Sequence, residues 1–291
     1  MKLNHWIQAA RPKTLPAAIA PVIAASGLAW HNDTFNWIPA ALCMSFALLI
    51  QIATNFANDY FDFKKGTDNE NRIGPKRAVA QGWISPGTMW IATLVTLALA
   101  LAVGLQLLWF GGYPLLIVGV LSIVCAILYT GGPFPLAYVG LGDLFVLIFF
   151  GWIAVMFTYF VQAGHHSWDA FIVGTAIGLL SVNLLLINNY RDVDNDKASE
   201  KKTTVVRFGR GYGRMQYLVS VIVALVCTFL LAFQLDNWWL LLAMIPLLRG
   251  LNIAAVLKHT SEAAAFARLL KSTAGVLMAY AILLSVLLIF S

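Results

Sequence analysis

The chain has 291 residues, of which 60% are hydrophobic and 11% are charged, and its formal net charge at pH 7 is +6. Soluble proteins carry about 25% charged residues, so this composition excludes an ordinary soluble enzyme. The mean hydropathy of +0.79 agrees, and no hydrophilic segment is large enough to form a separate domain. We therefore expect a single integral membrane domain over residues 1–291.

Apolar segments long enough to be helices recur along the chain, and no strand-like alternation competes with them. A bilayer core requires about 20 apolar residues for each helical span. The sequence therefore predicts an all-α bundle of about nine transmembrane helices. The predicted helices cover residues 15–30, 38–58, 88–110, 113–130, 139–161, 168–190, 213–233, 237–257 and 272–290.

Basic residues indicate how the bundle is oriented. With nine spans, Lys and Arg concentrate in the loops on the side of the N-terminus, whereas the opposite loops at 31–36, 111–112, 164–167 and 234–236 contain neither. Basic loops face the cytoplasm. We therefore predict a multi-pass inner-membrane protein with its N-terminus in the cytoplasm and its C-terminus outside. A count of eight spans would move Lys258 to Lys271 outside, which the same rule disfavours.

The second predicted helix ends in a polar face. Asn55, Asn58, Asp59 and Asp62 are three or four residues apart, so they share one side of the helix, and Asp68 follows shortly after. The sixth predicted helix ends in the same way.

In that sixth helix Asn188, Asp192 and Asp196 repeat every four residues. Both helix ends lie on the predicted cytoplasmic side, so we expect their side chains to line one cavity that opens to the cytoplasm.

Two interpretations of these carboxylates remain open: solvated helix ends, or a cation site. The helix macrodipole makes a C-terminus unfavourable for negative charge, and clustered carboxylates need compensating cations. Oxygen ligands favour a hard ion, and Mg²⁺ is typically held by one or two carboxylates together with substrate phosphates. We therefore predict Mg²⁺ as cofactor. The predicted ligands are Asn58, Asp59, Asp62, Asp68, Asp192 and Asp196, and the predicted catalytic residues are Asp59, Asp62, Asp192 and Asp196.

Basic residues flank both clusters, and Mg²⁺ together with basic side chains is what a diphosphate requires. The predicted diphosphate contacts are Lys13, Lys65, Arg72, Lys76, Lys201 and Arg207. Each of them could equally serve only as a topology signal.

These motifs resemble those of the UbiA-type intramembrane aromatic prenyltransferases, which carry aspartate motifs on helices 2 and 6. The resemblance covers nearly the full length of the chain. The stretches 72–77 and 140–143 point to the branch that acts on 1,4-dihydroxy-2-naphthoate. One departure is Glu200, where the family usually has glycine. Another is the segment 130–137, which lacks the basic residues of the hydroxybenzoate branch.

The resemblance implies an enzyme that transfers a polyprenyl group from polyprenyl diphosphate to 1,4-dihydroxy-2-naphthoate, releasing diphosphate and CO₂ and giving demethylmenaquinone. The expected partners are these two substrates and the lipid bilayer, with no nucleic acid. The predicted acceptor contacts are Asn55, Tyr60, Tyr138, Asp143 and Asn188, although Asp143 could instead be a helix cap. The alternatives are a prenyltransferase for another aromatic acceptor, such as 4-hydroxybenzoate, and a secondary transporter of organic anions.

Overall fold

The computed structural model describes residues 3–68 and 74–291. Within these ranges the protein is helical and contains no β-strand. We number the helices α1 to α11. They are α1 Leu3–Ala10, α2 Pro16–His31, α3 Trp37–Lys64, α4 Pro86–Gly111, α5 Pro114–Leu128, α6 Gly142–Ala163, α7 Trp168–Arg191, α8 Val193–Ala198, α9 Thr204–Gln234, α10 Trp238–His259 and α11 Ala263–Ile289.

In the part of the chain that the structure describes, seven helices are long and apolar enough to cross a membrane. They are α3, α4, α6, α7, α9, α10 and α11. The bent pair formed by Leu3–Thr14 and Pro16–His31 makes an eighth candidate, and α5 is shorter, with 15 residues. The predicted all-α membrane bundle is thus confirmed, whereas the count of nine spans stays a prediction.

Helix α7 lies at the centre of the bundle. In its most apolar stretch 72% of the residues are buried, against 22% in α3 and in α4. Helices α9 and α11 and the middle of α6 pack around it. The outer helices expose large apolar side chains such as Ile91 and Ile117, as expected where lipid replaces water as the solvent.

Several helices are longer than their hydropathy predicts, because their ends are polar. Helix α3 continues to Lys64, and shortly after it Gly66 has a φ of 71°, the left-handed conformation that commonly follows a helix C-terminus. Helix α9 begins at Thr204, and Gly209 interrupts its regular backbone. Helix α11 begins at Ala263 rather than at residue 272. Hydropathy marks the apolar part of a helix and misses such polar turns.

The two ends of the bundle differ in character. The C-termini of α3 and α7 lie at the end that carries the aspartate motifs. At the opposite end, Asn32 donates a 2.8 Å hydrogen bond to the Tyr159 hydroxyl and thereby joins α2 to α6. Tryptophans at this end are exposed, with exposed fractions of 69% for Trp37 and 89% for Trp109, and their amphipathic rings suit a membrane interface.

Glycines allow α6 and α7 to approach closely. A Cβ atom on Gly151 would lie 2.5 Å from the Gly174 carbonyl oxygen and 2.8 Å from the Gly178 Cα. Gly151 belongs to a π-helical stretch, Leu147–Ile153. Small residues at helix contacts are typical of membrane bundles, in which packing drives helix association.

We predict that Gly151→Ala destabilises the protein by about 1–3 kcal/mol, because the added methyl group meets the backbone of α7. Gly275→Ala is the matched control, since a Cβ there meets no heavy atom within 4 Å. Both changes gain the same intrinsic helix propensity. Thermal unfolding in detergent measures the difference, and equal midpoints for the two variants would contradict the close packing.

Candidate active site

A polar cavity of about 300 Å³ lies at the end of the bundle that carries the aspartate motifs. Side chains reach it from the C-termini of α3 and α7, from the start of α6, and from the segments before α2 and α9. Among the described residues, six basic side chains line it, against three aspartates. The basic residues are Arg11, Lys13, Lys76, Arg77, Arg191 and Lys201, and the aspartates are Asp62, Asp143 and Asp192. This excess of positive charge suits an anionic ligand.

The polar residues from α3 are buried and held by the loop between α5 and α6. Asp62 accepts a 2.8 Å hydrogen bond from the Tyr138 hydroxyl. Asn58 accepts a 2.7 Å hydrogen bond from the Thr130 hydroxyl. Both Asn58 and Asp62 line the cavity, so the loop fixes the side chains that α3 presents there.

Asp192, at the end of α7, is paired with its neighbour Arg191. Arg191 donates two hydrogen bonds of 2.6 Å to the two oxygens of Asp192, and both residues are buried. Removing one partner of such a buried pair typically costs about 3–5 kcal/mol. The pair therefore fixes the Asp192 carboxylate at the cavity wall.

Two of the predicted metal ligands contact the segment that follows α3. Asp59 accepts backbone hydrogen bonds of 3.0 Å from Ala78 and 3.3 Å from Val79. Asp68 lies 3.4 Å from the guanidinium of Arg77. Neither aspartate is among the residues that line the cavity. In this structure both carboxylates hold the loop that carries Lys76 and Arg77 to the cavity.

The turn after α8 brings a lysine back to the cavity. The Lys201 ammonium lies 3.6 Å from Asp196, and its backbone N–H donates to the Asp196 carbonyl. Glu200, which replaces the family's usual glycine, has a φ of 56°. The turn is thus left-handed without glycine. Asp196 lies behind Lys201 and is not among the residues that line the cavity.

The predicted diphosphate contacts fall into two groups. Lys13, Lys76 and Lys201 line the cavity. Lys65 instead donates to the Thr130 carbonyl at 2.7 Å, and burial lowers its pKa, an effect that the negative charge of Asp62 opposes and the positive charge of Lys201 reinforces. Arg207 donates to the Val139 carbonyl.

Arg72 lies outside the described residues. Three basic residues that line the cavity were missed by the sequence analysis: Arg11, Arg77 and Arg191. The Arg-Pro motif at 11–12 could have identified Arg11. The motif precedes α2, and α2 begins at the end of the bundle where α3 and α7 terminate.

Only some of the predicted acceptor residues line the polar cavity. Asp143 and Asn188 line the polar cavity. Asn55 lines a second, apolar cavity, and its amide donates to the Ala10 carbonyl at 2.9 Å. Tyr60 stacks on Trp90 with ring centroids 5.1 Å apart. Tyr138 is not among the lining residues. Spacing along the helices therefore does not predict the contacts that the side chains of Asn55, Tyr60 and Tyr138 make.

An apolar cavity of about 260 Å³ continues from the polar one into the bundle. Its walls include Val22, Cys43, Leu115 and Val161, which pack together near the opposite end. The residues common to both cavities mark the junction, and they are Arg11, Thr14, Asn58, Tyr129, Leu185 and Asn188. The combined space suits a ligand with an anionic head and a long apolar tail.

The oxygen atoms of the polar cavity fit Mg²⁺. Among residues 3–68 and 74–291, no three His, Cys, Asp or Glu side chains form a group that could hold a metal by themselves. Mg²⁺ does not require one, since it usually takes one or two carboxylates and completes its shell with water and substrate phosphates. Asp62 and Asp192, with the Asn58 amide, are the matching donor set.

Comparison with known proteins identifies the family. The profile of the UbiA prenyltransferase family matches residues 18–278. The chain belongs to this family. The predicted resemblance is therefore confirmed.

Similar proteins within this family share much of the sequence. The 1,4-dihydroxy-2-naphthoate octaprenyltransferase of Escherichia coli (strain K12) is 41% identical over 257 residues, which cover 85% of this chain and 83% of that protein. The enzyme of the same name from Mycobacterium tuberculosis is 40% identical, over 78% of this chain and 77% of that protein.

Solved UbiA structures share the fold. A UbiA homologue from Aeropyrum pernix superposes with a TM-score of 0.69 at 15% identity, over 94% of this chain and 97% of that chain. A homologue from Archaeoglobus fulgidus, bound to DMAPP and Mg²⁺, has a TM-score of 0.66 at 14% identity, over 97% and 99% of the two chains. The helix arrangement of this UbiA family member is therefore that of known membrane proteins.

We predict that Glu200→Gly keeps or raises the stability of the protein, because a left-handed backbone costs a non-glycine residue about 1–2 kcal/mol. Glu200→Val should lower it, since β-branched residues are poorly suited to positive φ. Thermal unfolding of both variants tests this. A lower midpoint for Glu200→Gly than for Glu200→Val would show that the turn does not depend on backbone conformation.

Proposed function

We propose that this protein transfers a polyprenyl group from polyprenyl diphosphate to 1,4-dihydroxy-2-naphthoate. The observation that carries the proposal is the junction of a basic polar cavity with an apolar one, which matches a diphosphate head and a polyprenyl tail. Relatives about 40% identical over most of the chain are named 1,4-dihydroxy-2-naphthoate octaprenyltransferases, which supports this acceptor.

The reaction balances without an external oxidant. The bond between the allylic carbon and the diphosphate oxygen breaks, and its electron pair leaves with the diphosphate. The ring carbon that carries the carboxylate forms the new carbon–carbon bond. CO₂ then departs and its bonding pair returns to the ring. The immediate product is therefore the quinol form of demethylmenaquinone.

Asp62, Asp192 and Asn58 are the residues that would hold Mg²⁺ in the cavity. Bound Mg²⁺ supplies charge neutralisation for the departing diphosphate. Lys13, Lys76 and Lys201 also line this space, and we assign them to the diphosphate oxygens, together with Arg11. Their charge stabilises the leaving group in surroundings of low dielectric constant, where such interactions are stronger than in water.

The acceptor ring belongs at the junction of the two cavities, because the reacting allylic carbon lies between head and tail. Asn188 and Tyr129 lie at this junction. Asp143 lies beside it, with one carboxylate oxygen held by Thr204 at 2.6 Å and by Gln216 at 3.0 Å. We assign Asp143 and Asn188 to the acceptor's polar groups, and the apolar walls exclude water from the reacting carbon.

The protein is a multi-pass membrane protein, and we assign it to the bacterial plasma membrane with its N-terminus and polar cavity on the cytoplasmic side. The asymmetric distribution of Lys and Arg supports this orientation. The water-soluble naphthoate then reaches the cavity from the cytoplasm and the released diphosphate leaves to it, whereas the polyprenyl tail stays within the bilayer.

Mass spectrometry of the products tests the proposed function. Purified protein in lipid receives a polyprenyl diphosphate, 1,4-dihydroxy-2-naphthoate and Mg²⁺, and we expect a product that has gained the prenyl group and lost CO₂. Excess EDTA should abolish the product and added Mg²⁺ should restore it. A product formed only with 4-hydroxybenzoate, or substrate flux into vesicles without covalent change, would contradict the proposal.

We predict that Asp62→Asn and Asp192→Asn each lower the rate of prenyl transfer. Loss of metal support typically costs about 10–100-fold, and we expect a loss at least that large. Asp62→Asn should stay folded, because the new amide oxygen still accepts from Tyr138. Asp192→Asn should also lower the thermal midpoint, since it leaves the buried Arg191 without a full counter-charge.

Asp33→Asn and Asp236→Asn are the matched controls. Both residues lie in loops at the opposite end, with φ values of 55° and 46°, and asparagine tolerates this conformation. Their rates should equal that of the unmodified protein. If Asp62→Asn turns over at the control rate in saturating Mg²⁺, this aspartate does not hold the metal.

Single-cysteine labelling tests the orientation, in a chain whose own three cysteines are replaced by alanine. A membrane-impermeant reagent added to spheroplasts should label Asn32→Cys and Gln234→Cys but not Lys76→Cys or Lys201→Cys. After the membrane is opened, the last two should react. Labelling of Lys76→Cys from outside would overturn the predicted topology.

A further inference from the structure

Tyr138 lies in the loop between α5 and α6, and its hydroxyl bridges two residues of another segment. The hydroxyl is 2.8 Å from Asp62 Oδ1 and 2.7 Å from Thr67 Oγ1. An ionised carboxylate only accepts hydrogen bonds, so the single Tyr138 proton goes to Asp62. Thr67 must then donate to the Tyr138 oxygen, and this second bond fixes the direction in which the tyrosine donates.

The ring of Tyr138 contacts two lysines from different segments. Lys65 Nζ lies 4.3 Å from the ring centroid and Lys201 Nζ lies 5.5 Å from it. Both distances are within the range of about 6 Å in which an ammonium group is attracted to an aromatic face. Of the two, Lys201 lines the polar cavity. The ring therefore restrains a cationic group at the cavity while the hydroxyl restrains an anionic one.

The backbone around Tyr138 is fixed as well. The Lys202 N–H donates to the Tyr138 carbonyl at 2.9 Å. Two residues later Gly140 has a φ of 79°, and a Cβ there would lie 2.8 Å from the Lys202 carbonyl oxygen. The loop thus lies directly against the segment before α9. Tyr138 is consequently where segments following α3, α5 and α8 meet.

We infer that Tyr138 is a positioning residue whose hydroxyl orients Asp62 toward a divalent cation and whose ring holds Lys201 at the diphosphate. The inference rests on the proposed function and assigns to Tyr138 a role different from the acceptor contact that its sequence context predicts. The two parts of the side chain act separately. A purely structural role for Tyr138 would affect stability without affecting the affinity for a metal ion.

Binding of Mn²⁺, a paramagnetic substitute for Mg²⁺, tests the inference without any measurement of turnover. Electron paramagnetic resonance counts free Mn²⁺ during titration of the purified protein. Tyr138→Phe keeps the ring and the backbone and removes the hydroxyl. We expect its Mn²⁺ affinity to fall by about 10-fold or more, the typical cost of losing a group that orients a ligand. We expect its affinity for inorganic diphosphate, measured without metal, to stay unchanged.

Tyr138→Leu removes the ring too and should weaken metal-free diphosphate binding by about twofold to fivefold, in keeping with the strength of one cation–π contact. Tyr280→Phe is the matched control, because the Tyr280 hydroxyl pairs with Thr228 in the interior of the bundle at 2.9 Å. It should bind Mn²⁺ and diphosphate like the unmodified protein. If Tyr138→Phe does not fold, Thr67→Val supplies the test, since it frees the tyrosine hydroxyl to rotate and should also weaken Mn²⁺ binding.

Asp62→Asn separates the failure of this inference from the failure of the proposed function. If Asp62→Asn loses Mn²⁺ binding and Tyr138→Phe retains it, the positioning role is wrong and the metal site stands. If Asp62→Asn also binds Mn²⁺ like the unmodified protein, the metal site itself is wrong. Weaker Mn²⁺ binding in Tyr138→Phe, with normal binding in Tyr280→Phe, supports the inference.

Discussion

The arrangement of the site depends on compensating the charge of the buried aspartates at the ends of α3 and α7. A charged group removed from water is costly unless it is paired or hydrogen-bonded. Each aspartate of the two motifs that we describe is buried, and each has an identified hydrogen-bond or charge partner. Asp59 has two backbone N–H groups, Asp62 has a tyrosine hydroxyl, and Asp192 has a bidentate arginine. These contacts draw the loops over the ends of α3 and α7.

One consequence is that aspartates of the same motif have different contacts. Asp59 and Asp62 are three residues apart on α3, yet one holds the following loop and the other faces the cavity. The loop held by Asp59 in turn carries Lys76 and Arg77 to the cavity. A carboxylate outside the cavity lining, such as Asp59, therefore helps to determine where the basic side chains lie. This explains why a motif can require more acidic residues than a metal ion needs.

The join between the polar and apolar cavities is a second consequence of the fold. An allylic diphosphate changes from anionic to apolar within one bond of its reacting carbon, and the protein makes the same change between Asn58 and the apolar walls around Cys43 and Leu115. Close packing of α6 on α7 through glycine supports one side of this space. The shape of the space for the substrate thus depends on packing between helices as well as on the charged residues.

The sequence by itself determined the membrane environment, the helical class and the family. These follow from hydropathy, from the spacing of Asn and Asp along helices, and from motifs, all of which are local properties of the chain. Of the site residues that it predicted, Asp62, Asp192, Lys13, Lys76 and Lys201 line the polar cavity, because residues near the ends of helices on one side of a bundle meet. Only the tertiary structure decided what each polar group contacts. The contacts of Tyr138 and the place of Arg11 at the cavity depend on segments from distant parts of the chain, and helical periodicity carries no information about where such segments come together.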